Sequence, residues 1–279
     1  TSQAPSNTLP KGGGALKGID EKFTVNAVNG TAGLEVALPL TPGRNGFTPS
    51  LAHSYNSGSG NSEFGLGWGL SLPSIQRKTD KQLPRYDDAN ESDVFLLAGA
   101  EDLVRELDMQ GEPVTITNGT YTIRCYRPRI EGLFARIEYI QETGNPKGWW
   151  KVTTKDNITT FYGLTEEGRI SDPANDKRIF KWLPQLITDH KGNMQYYTYK
   201  QEDFDGVASF PDQVELYPHE RNHLNYQEPC NNVYLKSVYY TNGSPIYITP
   251  TDVNEVYKPS LPASPESAFL MQLVLDYGE

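Results

Sequence analysis

Cysteine is nearly absent. Two in 279 residues, Cys125 and Cys230, cannot make a disulfide framework. One bond between them is one reading. A buried free thiol is the other, favoured by the strand-like run Tyr121-Thr122-Ile123-Arg124-Cys125-Tyr126. Basic charge is also short, with 25 Lys and Arg against 35 Asp and Glu, a net of −10. No basic stripe crosses the chain, which excludes a nucleic-acid groove. The acidic balance suits a soluble protein not drawn to anionic membranes. No apolar run approaches the ~18 residues of a membrane-spanning helix, so direct membrane insertion is not expected. Residues 1–10 are polar and uncharged, unlike a signal peptide. No window carries a helical apolar stripe longer than about three turns.

Glycine (25), proline (20) and tyrosine (17) are plentiful and spread along the chain. That composition predicts an all-β fold of many short antiparallel strands and hairpins. Alternating or apolar runs place strands at residues 34–40, 50–55, 70–75, 94–97, 114–117, 121–124, 134–140, 149–154, 159–162, 194–200, 233–241 and 270–276. Asn118-Gly119 marks a hairpin, and Lys155-Asp156-Asn157 and Asp189-His190-Lys191-Gly192-Asn193 mark further turns. Residues 178–187 fit either a short helix or a strand, with Pro184 favouring an edge. The expected organisation is an extended N-terminal arm over 1–22 and one β-domain over 23–279. Within it, 202–232 forms a long polar surface loop.

The densest local signal is the glycine block in residues 54–86, with Gly58, Gly60, Gly65, Gly67 and Gly69 around Trp68. A phosphate-binding glycine loop runs into a helix whose N-terminal amides hold the anion. This one runs into Leu70-Ser71-Leu72-Pro73-Ser74-Ile75, an alternating stretch with a proline, and no Gly-Lys-Ser/Thr follows. The glycines and Trp68 therefore read as structural. They make tight turns and close backbone contacts, with Phe64 and Trp68 pinning the block to the core.

Strings that suggest catalysis are few. No G-x-S-x-G elbow occurs. His219-Glu220-Arg221-Asn222-His223 spells H-E-x-x-H. On a helix its histidines would share a face and bind zinc, with Glu220 as general base. Pro218, Asn222, Asn225 and Pro229 oppose a helix, and no third ligand stands at an expected spacing. Solvated loop residues are the plainer reading, so no catalytic residue, metal or cofactor is expected. A zinc-dependent hydrolase on His219, Glu220 and His223 is the alternative. The acidic pairs Asp87-Asp88, Glu101-Asp102 and Glu166-Glu167 single out no acid–base couple. Arg127 and Arg129 suggest ion pairs with acidic loops. Trp149-Trp150 could offer a sugar platform, the basis of a carbohydrate-binding alternative. The plainer reading is one core ring and one covered by a neighbouring layer.

Several segments together resemble one family. They are Leu9-Pro10-Lys11-Gly12-Gly13-Gly14-Ala15, residues 55–68 and 71–80, Glu91-Ser92-Asp93-Val94-Phe95, Gly99-Ala100-Glu101-Asp102-Leu103, residues 126–131, 155–163 and 178–183, and Leu275-Asp276-Tyr277-Gly278-Glu279. From about residue 9 to 279 the chain is similar to the SpvB-type N-terminal domain. That domain is named after a Salmonella plasmid virulence protein and opens the B components of insecticidal toxin complexes (TcB, TcaC-like). The resemblance implies a fragment of a larger secreted bacterial toxin. It also implies part of an Rhs-like β-shell, whose spiralling hairpins enclose a C-terminal toxin. Its implied partners are other toxin-complex components or Rhs-repeat segments of the same polypeptide. It implies no enzyme here. The family's ADP-ribosyltransferase is a separate domain with an E-x-E motif, which this chain lacks, and shell self-cleavage belongs to the C component.

Overall fold

The computed structural model describes residues 21–26 and 31–277, apart from residues 100, 131, 133, 173 and 203–231. Nearly all of the expected arm, most of the polar loop, the H-E-x-x-H string and Cys230 lie outside the described residues.

Strands dominate, and every named strand pairing is antiparallel. The fold is all-β, as the alternation predicts. The chain divides into two compact units, Thr1–Pro39 with Ser50–Ser71, and Leu40–Pro49 with Leu72–Glu279.

The first unit holds a four-stranded sheet in the order Glu21–Asn26, Thr31–Ala37, Ala52–Asn56, Trp68–Leu70. A two-stranded ribbon, Asn61–Ser62 with Gly65–Leu66, stands within the glycine block. The expected strand over 34–40 starts earlier and ends at Ala37, before Pro39, which has no amide proton for a ladder.

The second unit is built on one 14-stranded sheet. Its path runs Arg169–Asp172, Asn175–Trp182, Ile75–Arg77, Phe95–Leu97, Glu101–Arg105, Tyr121–Pro128, Ala135–Glu142, Trp149–Thr154, Thr159–Tyr162, Pro184–Thr188, Met194–Gln201, Val233–Asn242, Phe269–Val274. Thr115–Asn118 pairs beside this path with Tyr121–Pro128. One feature of the order fixes the sheet's curvature. Asn175–Trp182 pairs with Ile75–Arg77, whereas Pro184–Thr188 pairs with Thr159–Tyr162. These two positions are far apart along the sheet, yet only Leu183 separates the strands in sequence. The intervening strands must therefore curl until the sheet nearly meets itself, as in a barrel. Leu183 bridges the seam, accepting from the Gly163 amide at 2.8 Å and donating to the Gly168 carbonyl at 2.8 Å.

Each face of the sheet has its own core. Inside the curl lie Ile75, Phe95, Tyr126, Ile137, Tyr139, Trp150, Tyr162, Ile179 and Trp182. Phe95 meets Trp150 edge-on at 4.9 Å and Trp182 at 5.8 Å across the interior. The other face packs Tyr121, Ile123, Cys125, Ile140, Trp149, Phe161 and Leu186 against Tyr257 and Phe269.

Two expectations need correction. The stretch over 70–75 is not one strand. Trp68–Leu70 ends in the small sheet and Ile75–Arg77 begins in the large one, with Pro73 between. Residues 178–187 are two strands and not a helix or a single strand, because Pro184 opens a new partnership where a strand's first residue tolerates proline. Between Val233–Asn242 and Phe269–Val274 lie two short helices, Val253–Tyr257 and Pro265–Ala268. The first is capped by Asp252, which accepts from the amides of Asn254 and Glu255.

Candidate functional site

The glycine block is a folded-back ribbon. Ala52–Asn56 pairs with Trp68–Leu70, with Tyr55 opposite Trp68. Gly65 has φ +99° and Gly67 φ +79°, a left-handed region that glycine enters without steric cost. Gly67 also lies against its neighbours. A Cβ there would stand 2.6 Å from the Tyr55 ring and 3.0 Å from the Asn56 carbonyl oxygen. At Gly60 and Gly65 a Cβ would meet nothing within 4 Å. The block's amides are turned on itself: Gly67 donates to the Gly60 carbonyl at 2.9 Å and Gly58 to Asn56 Oδ1 at 2.8 Å. Phe64 and Trp68 are half-buried and not core residues. Phe64 meets His53 edge-on at 4.7 Å, and Trp68 tilts on Tyr55 at 5.3 Å.

The two adjacent tryptophans are both interior, Trp149 at 1% and Trp150 at 0% exposure. They point to opposite faces, and each face is covered. Trp149 donates to the Tyr257 carbonyl at 2.7 Å, while Trp150 packs inside the curl. Neither ring offers a platform for a sugar.

Sequence reasoning missed the densest charged site. Arg77, 1% exposed, makes a two-pronged pair with Asp88 at 2.6 and 3.0 Å and reaches Asp93 at 2.8 Å. It also donates to the Ile179 carbonyl at 2.7 Å and lies over the rings of Tyr86, Phe95 and Trp182. Tyr139 donates to Asp88 at 3.2 Å. Burial works to raise the Asp93 carboxyl, but the amides of Arg85 and Tyr86 and the Arg77 charge hold it below its ordinary value. In sequence Arg77 is only half of an Arg-Lys pair. Its partners lie 11 and 16 residues away, a spacing with no periodic signature.

The other acidic pairs resolve the same way. Asp102 binds Lys78 at 2.8 Å and Arg129 at 3.3 Å, so Arg129 does meet an acidic partner. Lys147 binds Glu166 at 2.6 Å and also pairs with Asp176. Cys125 is a free, buried thiol; burial, then the Glu138 carboxylate, push it above its ordinary range. Among the described residues no three of His, Cys, Asp and Glu are grouped to hold a metal.

The two ends of the large sheet's strand path are unequal. Arg169–Asp172 is short, charged at both ends and interrupted by register shifts after Ile170 and after Ser171. Such irregularity discourages further pairing. Phe269–Val274 carries no charge and keeps regular register with Val233–Asn242. Its Leu270 is 71% and its Val274 52% exposed.

A family model described as "Salmonella virulence plasmid 65kDa B protein" matches residues 26–279. The chain belongs to the SpvB family. The Mono(ADP-ribosyl)transferase SpvB of Salmonella typhimurium strain 14028s is 31% identical over 97% of this chain, and that of Salmonella dublin is equally similar. The chain spans 42% of the length of these curated relatives. Among solved structures, the N-terminal domain of effector protein SpvB from Salmonella typhimurium strain LT2 superposes with a TM-score of 0.69 at 31% identity, over 88% of this chain and 72% of that one. The TcdB2-TccC3 crystal structure gives a TM-score of 0.74 at 33% identity, covering all of this chain and 12% of that one. The Photorhabdus luminescens Tc holotoxin pore gives 0.74 at 31% identity, over 99% of this chain and 12% of that one. The SpvB-family assignment and the toxin-complex fold are therefore those expected from the motifs.

Proposed function

We propose that this chain is a non-enzymatic structural module of a secreted bacterial toxin. In this reading it forms part of a β-shell that encloses and delivers a toxin carried further along the polypeptide or on a partner component. The observation that carries the reading is the contrast between the two edges. An irregular, charged edge ends the sheet, whereas the smooth, uncharged Phe269–Val274 edge leaves backbone groups ready for another strand. The likeness to TcdB2-TccC3 and the Tc holotoxin pore supports it, since the second is a toxin assembly by name and TccC3 is named in both. The titratable clusters described above neutralise themselves, which suits structure better than turnover. The boundaries carried into this proposal are an arm over 1–22 and one functional module over 23–279. Gly58, Gly60, Gly65, Gly67, Trp68 and Gly69 serve that module as structure.

The test uses the longer polypeptide. Leu270→Lys with Val274→Lys places charge along the open edge without touching either core. Limited proteolysis is expected to cleave the downstream toxin segment faster in this variant than in the unaltered protein. Equal protection in both would overturn the reading.

A further inference from the structure

The shell reading leaves Lys151 unused. Its strand, Trp149–Thr154, lies mid-sheet, and Lys151 stands on the same face as Trp149, across from Glu138 and Phe161 in register. Two aromatic rings flank it there. The Lys151 ammonium lies 5.2 Å from the Tyr257 ring centre and 6.0 Å from that of Phe161. Its side chain is 13% exposed, and its carboxylate neighbour Glu138 is 1% exposed and 3.8 Å away. Glu138 is closer to Arg136, at 2.7 Å, so Lys151 holds the weaker share of one carboxylate. Burial outweighs that share and sets the amine below its ordinary range.

Lys151 also lines a pocket of about 270 Å³. Ile246, Ile248, Pro250 and Val256 give it one apolar wall, and Asn157, Thr159, Thr188, Asp189 and His190 form its polar side. Asp189 is engaged by the amides of Lys191 and Asn193. A desolvated primary amine beside an apolar pocket wall is the arrangement that activates lysine toward carbonyls.

We infer that Lys151 is the amine of a small-molecule pocket that captures uncharged aldehydes with an apolar tail as an imine. The nitrogen lone pair attacks the carbonyl carbon and a C–N bond forms. The amine reacts in its neutral form: the C=O π bond opens, one nitrogen proton passes to that oxygen, and the C–O bond then breaks as the hydroxyl leaves with the second nitrogen proton as water, giving the imine. No oxidant or reductant is needed for capture.

Benzaldehyde with cyanoborohydride is the probe, because hydride addition to the imine fixes the adduct as a secondary amine. Applied to the full chain at neutral pH and read by peptide mass spectrometry, it is expected to label Lys151 several-fold faster than exposed Lys155 and Lys191. Labelling at or below the rate of those two lysines would overturn the inference. Val256→Phe narrows the pocket and is expected to slow Lys151 while leaving Lys155 and Lys191 unchanged. Undiminished labelling in a folded Val256→Phe protein would likewise overturn it. The comparison within the unaltered protein stands alone if that variant does not fold.

Discussion

Arg77 keeps a full positive charge at 1% exposure, and nearly every direction around it is spoken for. Asp88 and Asp93 answer the charge, and Ile179 takes the remaining amine edge. Arg77→Leu keeps an apolar stem near the rings but leaves two carboxylates without their cation. A loss of roughly 3–5 kcal/mol in denaturant unfolding is expected, as for breaking a buried pair. Adding Asp88→Asn and Asp93→Asn should recover part of it. If Arg77→Leu alone unfolds like the unaltered protein, the cluster is not structural. Gly67 and Gly60 separate two causes of glycine dependence. Gly67→Ala meets a positive φ and the Tyr55 ring together, so a loss of at least about 1–2 kcal/mol is expected from the backbone alone. Gly60→Ala meets neither and should change thermal unfolding very little.

Among the elements, the hairpin at residues 115–128 shows how local signals behave. Asn118-Gly119 predicts the turn, and a hairpin is there. Asn118 is however still paired, opposite Tyr121, so the two-residue loop is Gly119-Thr120. Gly119 has φ +60°, and Thr120 is not among the residues of positive φ, the pattern of a II′ turn. Gly119→Ala should therefore cost about 1 kcal/mol, whereas Asn118→Thr, a strand substitution, should be nearly neutral; the two compared by thermal unfolding check the register. Strands such as Trp149–Thr154 and Thr159–Tyr162 were legible because alternation and a turn tripeptide are local. The curl was not legible. Nothing near Leu183 says that the strands on either side of it join partners at opposite ends of the closure. The same non-locality hid the Arg77 cluster and the identity of what covers the second buried tryptophan. Alternation sends Trp149 and Trp150 to opposite faces, but the cover over Trp149 comes from Tyr257, 108 residues away. The short helix at Val253–Tyr257 had its Asp252 cap in plain view, yet five residues make too short a stripe to register as a period.

Over the second unit as a whole, tyrosine sets an alkaline limit. Tyr139, Tyr162, Tyr197 and Tyr199 are all buried, and desolvation raises each phenol above its ordinary range. Tyr162 is pushed up to about 12. An unfolded tyrosine loses its proton near pH ~10. Between those values the unfolded chain binds fewer protons than the folded one, so stability falls as pH rises. The contribution of Tyr162 is therefore complete below the unfolded pKa and lost as pH climbs through about 12. Urea midpoints followed from neutral pH to beyond the ordinary tyrosine range should hold steady at first and then fall steeply. Tyr162→Phe keeps the ring in the curl and removes the phenol. Its midpoint should fall less steeply with alkaline pH than that of the unaltered protein, while differing little at neutrality. Parallel alkaline slopes for the two proteins would mean that the Tyr162 phenol ionises as freely in the folded sheet as in the unfolded chain, and would contradict its burial against the interior aromatics.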